Sequence, residues 1–222
     1  MNQKDVFLAS EGNAWFLRNT RKLTELDDIS DIVLEAIKFI DLPCSSHILE
    51  IGCSNGKRLK LLQNLYKNVD CFGIDPSKEA VNTGSKEYNL DLRVGTADSL
   101  PFDNNYFSLI IFGFSLYLCD RKDLFKIAYE ADRCLCNKGY LIIKDFHPPF
   151  SYKNSYSHYE GLSSYKMDYS LMFKWNPSYT EIFKVISSHQ GFIQLEIPDE
   201  RIGVTILYKD ESYAYPHDIQ WM

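Results

Sequence analysis

Ile48-Leu49-Glu50-Ile51-Gly52-Cys53-Ser54-Asn55-Gly56 is the stretch that decides the fold, because an apolar run ends there on two closely spaced glycines. His47–Ile51 has the character of a buried strand, and Lys57–Lys67 follows with Leu59, Leu62, Leu65 and Tyr66 at helical spacing. Glycine at such a junction supplies positive φ and lets a ligand approach the main chain. Three nucleotide-binding loops share this plan and differ in spacing. A dinucleotide loop needs G-x-G-x-x-G, but Ser54 stands at the second glycine and Lys57 at the third. A P-loop needs four residues between its glycines, then Lys and Ser/Thr; here three intervene and Arg58 follows Lys57.

Outward from the loop, strands and helices alternate. The pattern predicts strands at Val69–Ile74, Leu92–Val94, Phe107–Phe112 and Tyr140–Ile143, with Ser77 as the N-cap of a helix reaching Tyr88. Asp120 is read as the cap of a further helix, with a stripe at Leu124, Ile127, Ala128, Ala131 and Leu135, which Asn137-Lys138-Gly139 ends. Upstream, Asp28–Ile40 carries Ile29, Ile32, Val33, Ala36, Ile37 and Ile40 at amphipathic spacing. Such alternation implies a parallel sheet covered on both faces. Residues 147–180 break the rhythm, being rich in Tyr and Trp in a polar background without clean periodicity. Phe192–Ile197 and Ile202–Tyr208, separated by Pro198-Asp199-Glu200, are read as a hairpin closing the sheet.

Composition narrows the function. The 222 residues suit one α/β domain, and a net charge of −6 without a Lys/Arg cluster argues against nucleic acid as a partner. The longest apolar stretches, such as Phe107–Leu118, are too short to span a membrane, and MNQKDVFLAS has no signal-peptide pattern, so a cytoplasmic location is expected. Six cysteines fall largely inside apolar runs; Cys134-Leu135-Cys136 is C-x-C without a second pair, so no metal is expected.

Glu50 followed by Gly52, Ser54 and Gly56 resembles the first motif of class I S-adenosylmethionine-dependent methyltransferases of the type 11-like group, an acid followed by G-x-G-x-G, with serine at the middle glycine. The resemblance implies that Gly52, Cys53 and Gly56 face the methionine part of the cofactor and that Glu50 contacts its amino group. Asp75, with Pro76 beside it, lies 19 residues after Gly56, where an acid accepts hydrogen bonds from ribose hydroxyls. Gly95-Thr96-Ala97-Asp98-Ser99-Leu100-Pro101-Phe102 is similar to the family's G-D-A-x-x-L-P-F, which puts Thr96, Ala97 and Asp98 at the adenine. Phe112-Gly113-Phe114-Ser115-Leu116-Tyr117 then implies Phe112 against the cofactor and Tyr117 near the transferred methyl. Leu135–Ile143 matches the family's L-K-P-G-G-x-L run with Asn137 for proline. Together these imply an α/β fold, a Rossmann-like doubly wound, seven-stranded, mostly parallel sheet with helices on both faces and the last strand antiparallel. Without the resemblance, the same residues read as a plain junction, a helix start and core aromatics.

Asp145 and His147 follow the fifth strand, at the sheet edge where such folds place ligands, so both are candidates to position or deprotonate an acceptor; a turn cap and plain loop are the alternatives. The aromatic stretch reads as a cover for a flat or sugar-like substrate, with Tyr156, His158 and Tyr159 in the pocket, or else as rings packed on the domain. Gly12-Asn13-Ala14-Trp15-Phe16-Leu17-Arg18-Asn19 resembles G-N-x-Y-x-x-R-N of methylases associated with pseudaminic acid biosynthesis. That implies that Trp15 and Arg18 close over the cofactor, and it favours a sugar or nucleotide-sugar acceptor. The expected organisation is a single domain, with an N-terminal helical cap (1–45), a cofactor core (46–146), a substrate cover (147–180) and a C-terminal hairpin (181–222). The expected activity is methyl transfer from S-adenosyl-L-methionine to a hydroxyl or amine of a small molecule. The alternatives are a non-catalytic methyltransferase-like subunit, signalled by Ser54 and Thr96, and an NAD-dependent oxidoreductase, against which the missing G-x-G-x-x-G counts.

Overall fold

The computed structural model describes residues 2–24, 31–43, 45–188, 195–212 and 214–215. β1 (His47–Ile51) is apolar apart from His47 and Glu50, and it pairs in parallel with β2 (Asp70–Asp75) on one side and β4 (Phe107–Gly113) on the other. β3 (Asp91–Val94) extends the sheet beyond β2 and β5 (Leu135–Phe146) beyond β4, again in parallel. β9 (Arg201–Lys209) then runs antiparallel between β5 and β8 (Tyr179–Ser188), giving the order β3-β2-β1-β4-β5-β9-β8. The seven-stranded, mostly parallel sheet with an antiparallel last strand is the architecture the sequence implied.

Neighbouring residues on each central strand face opposite ways, so the sheet builds two cores. Phe112 and Ile143 join the core under α6 (Leu124–Cys134), while Ile111 and Ile142 join the one under α3 (Ile32–Ile37) and α4 (Lys57–Leu65). α5 (Lys78–Tyr88) starts where Ser77 Oγ accepts from Ala80 N at 3.1 Å, and Asp31 caps α3 by accepting from Val33 N at 2.9 Å. Strand order reverses between β1 and β4, and the crevice at their carboxyl ends is where such sheets bind ligands.

Four boundaries differ from the sequence reading. The helix read as Asp28–Ile40 is Ile32–Ile37, with residues 28–30 outside those described. α6 ends at Cys134, and Lys138 takes a left-handed φ of 64° inside β5. Asp120 caps a different helix: its carboxylate accepts from the backbone of Gln3 and Lys4, each at 3.0 Å, at the start of α1 (Gln3–Val6). Of the hairpin arm read at Phe192–Ile197, residues 192–194 lie outside those described and 195–197 form a turn; the pairing arm is β8. β8 is an edge strand with Glu181 and Lys184 among its apolar residues, so it shows no continuous apolar run. Residues 147–180 contain regular structure, an antiparallel pair β6 (Tyr152–Ser155) and β7 (Ser163–Lys166) followed by α7 (Leu171–Lys174). α1, a π-helical stretch (Phe7–Glu11) and α2 (Gly12–Thr24) run on without a break.

Candidate active site

The glycine loop turns tightly by alternating left-handed residues, Gly52 (φ 77°), Ser54 (φ 52°) and Gly56 (φ 74°). The backbone N–H groups of Gly52 and Cys53 both donate to Ile74 O, at 2.8 and 3.1 Å, which fastens the loop to β2. Ser54 thus holds a left-handed conformation of the kind that favours glycine. Its N–H donates to Asp75 Oδ2 at 2.8 Å, and Ser77 N–H donates to Asp75 Oδ1 at 2.8 Å. Burial pushes the Asp75 carboxyl up to about 6, with those two N–H groups pulling it back. Each oxygen keeps a free lone pair to accept from a hydroxyl.

A cavity of about 960 Å³ opens over this loop. It is at the upper end of the size range of small-molecule sites, about 300–1,000 Å³. Gly52–Asn55, Asp75–Pro76, Gly95–Asp98 and Gly113–Ser115 all line it, so all four strand–loop junctions singled out in the sequence converge on one space. Glu50, 2% exposed, reaches it from β1: Oε1 accepts from Arg58, whose Nε donates to Asp31 Oδ2 at 2.7 Å. Burial pushes the Glu50 carboxyl up to about 7 against the pull of Arg58. Three buried oxygens on the lining residues have no partner: Glu50 Oε2, Ser54 Oγ and Asn55 Oδ1. Such oxygens call for donors on a ligand. The ammonium and hydroxyls of S-adenosylmethionine are donors of that kind, so the residues present fit the cofactor.

The N-terminal helices roof the cavity. Lys4 Nζ lies 2.6 Å from Asp98 Oδ2 and 3.1 Å from Asp123 Oδ2, and Asn13 Oδ1 accepts from Ser77 Oγ at 2.9 Å. Trp15 lines the space, as does Tyr117. Arg18 does not: its guanidinium pairs with the buried Glu11, which also accepts from Tyr156 Oη at 2.9 Å. The roof is thereby tied to the hairpin of β6 and β7.

Several other candidates also sit off the cavity. Phe112 is fully buried and packs toward Phe173, because its position on β4 faces the α6 core; Gly113–Ser115 supply the lining instead. Gly56 shapes the turn without lining the space. Asp145, 2% exposed, accepts from Leu116 N (2.9 Å), Tyr117 N (3.3 Å) and Phe146 N (2.8 Å), and burial pushes it up to about 7. It props up the loop that carries Tyr117. His147 rests against Gly203, with Nε2 3.3 Å from Asp168 Oδ2. Of the aromatic cover, Tyr156 and His158 border a second cavity of about 290 Å³ beyond Trp15 and Tyr117, while Tyr159 packs with Leu162. The sequence reading missed Lys4, Glu11, Asp31, Arg58 and Lys144. The last carried a visible signal, a charge inside the apolar run Leu141-Ile142-Ile143.

Among the described residues no group of three or more His, Cys, Asp or Glu could hold a metal ion, five cysteines are free, and no helix is long and apolar enough to cross a membrane. Residues 48–139 match a family model described as a methyltransferase domain. The chain is similar to the uncharacterized methyltransferase YcgJ of Bacillus subtilis, 25% identical over 143 residues, 62% of this chain and 53% of that one. It is also similar to a carboxy-S-adenosyl-L-methionine synthase of Campylobacter jejuni subsp. doylei, 28% identical over 110 residues, 47% of this chain and 46% of that one. The chain thus spans about half the length of the curated relatives it matches. A crystal structure of a methyltransferase from Methanosarcina mazei shares the fold, with a TM-score of 0.63 and 17% identity over 81% of this chain and 98% of that one.

Proposed function

We propose that this chain, whose residues 48–139 match a methyltransferase domain, is a class I S-adenosylmethionine-dependent methyltransferase that transfers a methyl group to a hydroxyl or amine of a small molecule, a sugar or nucleotide-sugar being the leading acceptor class. The observation that carries this reading is the convergence of the four junctions on one cavity whose unpartnered buried oxygens include Glu50 Oε2. When bound, S-adenosylmethionine supplies an electrophilic methyl on a good leaving group.

In this reading Glu50 receives the cofactor's ammonium and Gly52–Cys53 let its methionine part approach the main chain. Asp75, with Pro76, holds the ribose; Thr96 and Ala97 border the adenine. Trp15 roofs the space, and Arg18 acts at one remove by holding the roof through Glu11 and Tyr156. Tyr117, between the two cavities, lies at the reacting end with Phe114. These rings exclude water and align the acceptor, which is most of what a sulfonium displacement asks of a protein. Asp145 acts as a positioning residue, with all its observed bonds on the main chain around Tyr117. The smaller cavity supports the sugar reading, since Asn19, Asn154 and His158 border it together with Trp15 and Tyr156.

The test is calorimetric titration with S-adenosylhomocysteine, followed by transfer of a labelled methyl from S-adenosylmethionine to fractionated small molecules. Micromolar binding and a labelled product are expected. Absence of binding at millimolar ligand would refute the reading, and binding without any labelled product would favour a non-catalytic subunit.

A further inference from the structure

The large cavity has a second lobe that the cofactor residues do not account for. It lies under α3, at the carboxyl ends of β5 and β8 and the amino end of β9. Ile32 and Ala36 of α3, with Phe39 just beyond it, form one wall, Phe183 and Val185 of β8 the other, and Lys144 of β5 the floor. The register explains the floor: Lys144 pairs with Gly113 on one side and Val204 on the other, so its side chain emerges on the α3 face between a glycine and a valine.

Charges in this lobe are unevenly matched. Arg58 is held by both Asp31 and Glu50. Among the described residues no hydrogen bond or ion pair reaches the Lys144 ammonium, although Asp31, Glu50 and Arg58 all act on it through space. A lysine ammonium is strongly hydrated, and placing one at the floor of an apolar-walled lobe is costly unless something pairs with it. Burial accordingly pulls its titration down from the usual lysine range, with Arg58 adding to the effect. An ammonium left in that position calls for an anion from outside the protein.

We propose that Lys144 anchors an oxyanion, carboxylate or phosphate, carried by the methyl acceptor, so that the acceptor is a small acid whose flat or apolar body packs against Phe39 and Phe183. Those two rings stack directly on each other, at a centroid distance of 4.8 Å, and present one aromatic surface at the lobe's edge. The inference rests on the methyltransferase reading, and it makes Lys144 a specificity-determining residue.

The experiment uses the full chain loaded with S-adenosylhomocysteine and three probes of one shape: benzoate, phenyl phosphate and neutral benzamide, titrated with ligand-observed NMR. Either anion should bind at least tenfold more tightly than benzamide, and the stronger of the two identifies the oxyanion. Lys144→Met should abolish that preference and Lys144→Arg should retain it, with affinity for S-adenosylhomocysteine within about twofold in both. Equal binding of anion and amide, no anion binding at 10 mM, or an undiminished preference in Lys144→Met would overturn the proposal. Failure of S-adenosylhomocysteine to bind the unaltered protein would instead overturn the methyltransferase reading beneath it.

Discussion

Gly52→Ala tests the centre of the site, and the structure sets its size. Gly52 has φ 77°, and a Cβ there would sit 2.6 Å from Ser115 Cβ and 2.8 Å from Ser115 Oγ. A left-handed alanine costs about 1–2 kcal/mol, and forcing an extra methyl into a packed site about 1–3 kcal/mol, so the sum is roughly 2–5 kcal/mol. In a domain of this size each kcal/mol lowers the melting temperature by about 2–4 °C, which gives a fall of roughly 4–20 °C. Gly52→Ala/Ser115→Gly removes the clash and leaves the backbone term, so about half of the loss should return. The added methyl also stands at the cavity wall, and calorimetric affinity for S-adenosylhomocysteine should fall at least about tenfold, or 1.4 kcal/mol. A melting temperature within 2 °C of the parent and unchanged affinity would refute both the strained turn and the placement of the cofactor.

Two further outcomes follow from the buried carboxyls. Glu50 titrates near 7 and faces Arg58, Asp31 and Lys144, so raising the pH from 6 to 8 ionises it and should tighten S-adenosylhomocysteine several-fold. Glu50→Gln should bind more weakly and lose that slope; a retained slope would sink the assignment. Asp145 holds its proton to about 7 in the fold against an ordinary 3.8, so the native state binds more protons than the unfolded chain between those values. Its contribution therefore declines as pH rises from about 4 to about 7 and is level above that. Asp145→Asn should flatten this part of the stability profile in urea melts at pH 5 and 8. It should also lose about 1–3 kcal/mol, since its amide presents a donor to backbone N–H groups. No loss at either pH would show that those three bonds are unimportant.

Most of the fold was legible because its signals are local. Burial on both faces makes β1 and β4 predominantly apolar runs, and capping by Ser77 is a bond between residues three apart. β8 was not legible, since an edge strand needs no apolar run and owes its place to pairing with β9. The same division holds in the site. Glu50, Gly52, Asp75 and the Thr96–Ala97 pair line the crevice, because each lies at or just past the end of a strand, where main-chain geometry alone delivers it there. Phe112 went astray by one residue of alternation, which turns a side chain to the opposite face. Asp145 and His147 sit at the expected strand end, yet their side chains are held by Leu116, Tyr117 and Phe146 in one case and lie beside Asp168 in the other.

The glycine loop, its acid partner and the alternation of strands and helices are properties of neighbouring residues, and the sequence by itself determined them. Which charges are left over was decided only by the tertiary structure. Arg58 meets Asp31 across 27 positions and Glu11 meets Tyr156 across 145, while Lys144 comes to lie beside these acids without reaching one. Charge pairing depends on distance in space, which folding sets and spacing along the chain does not encode.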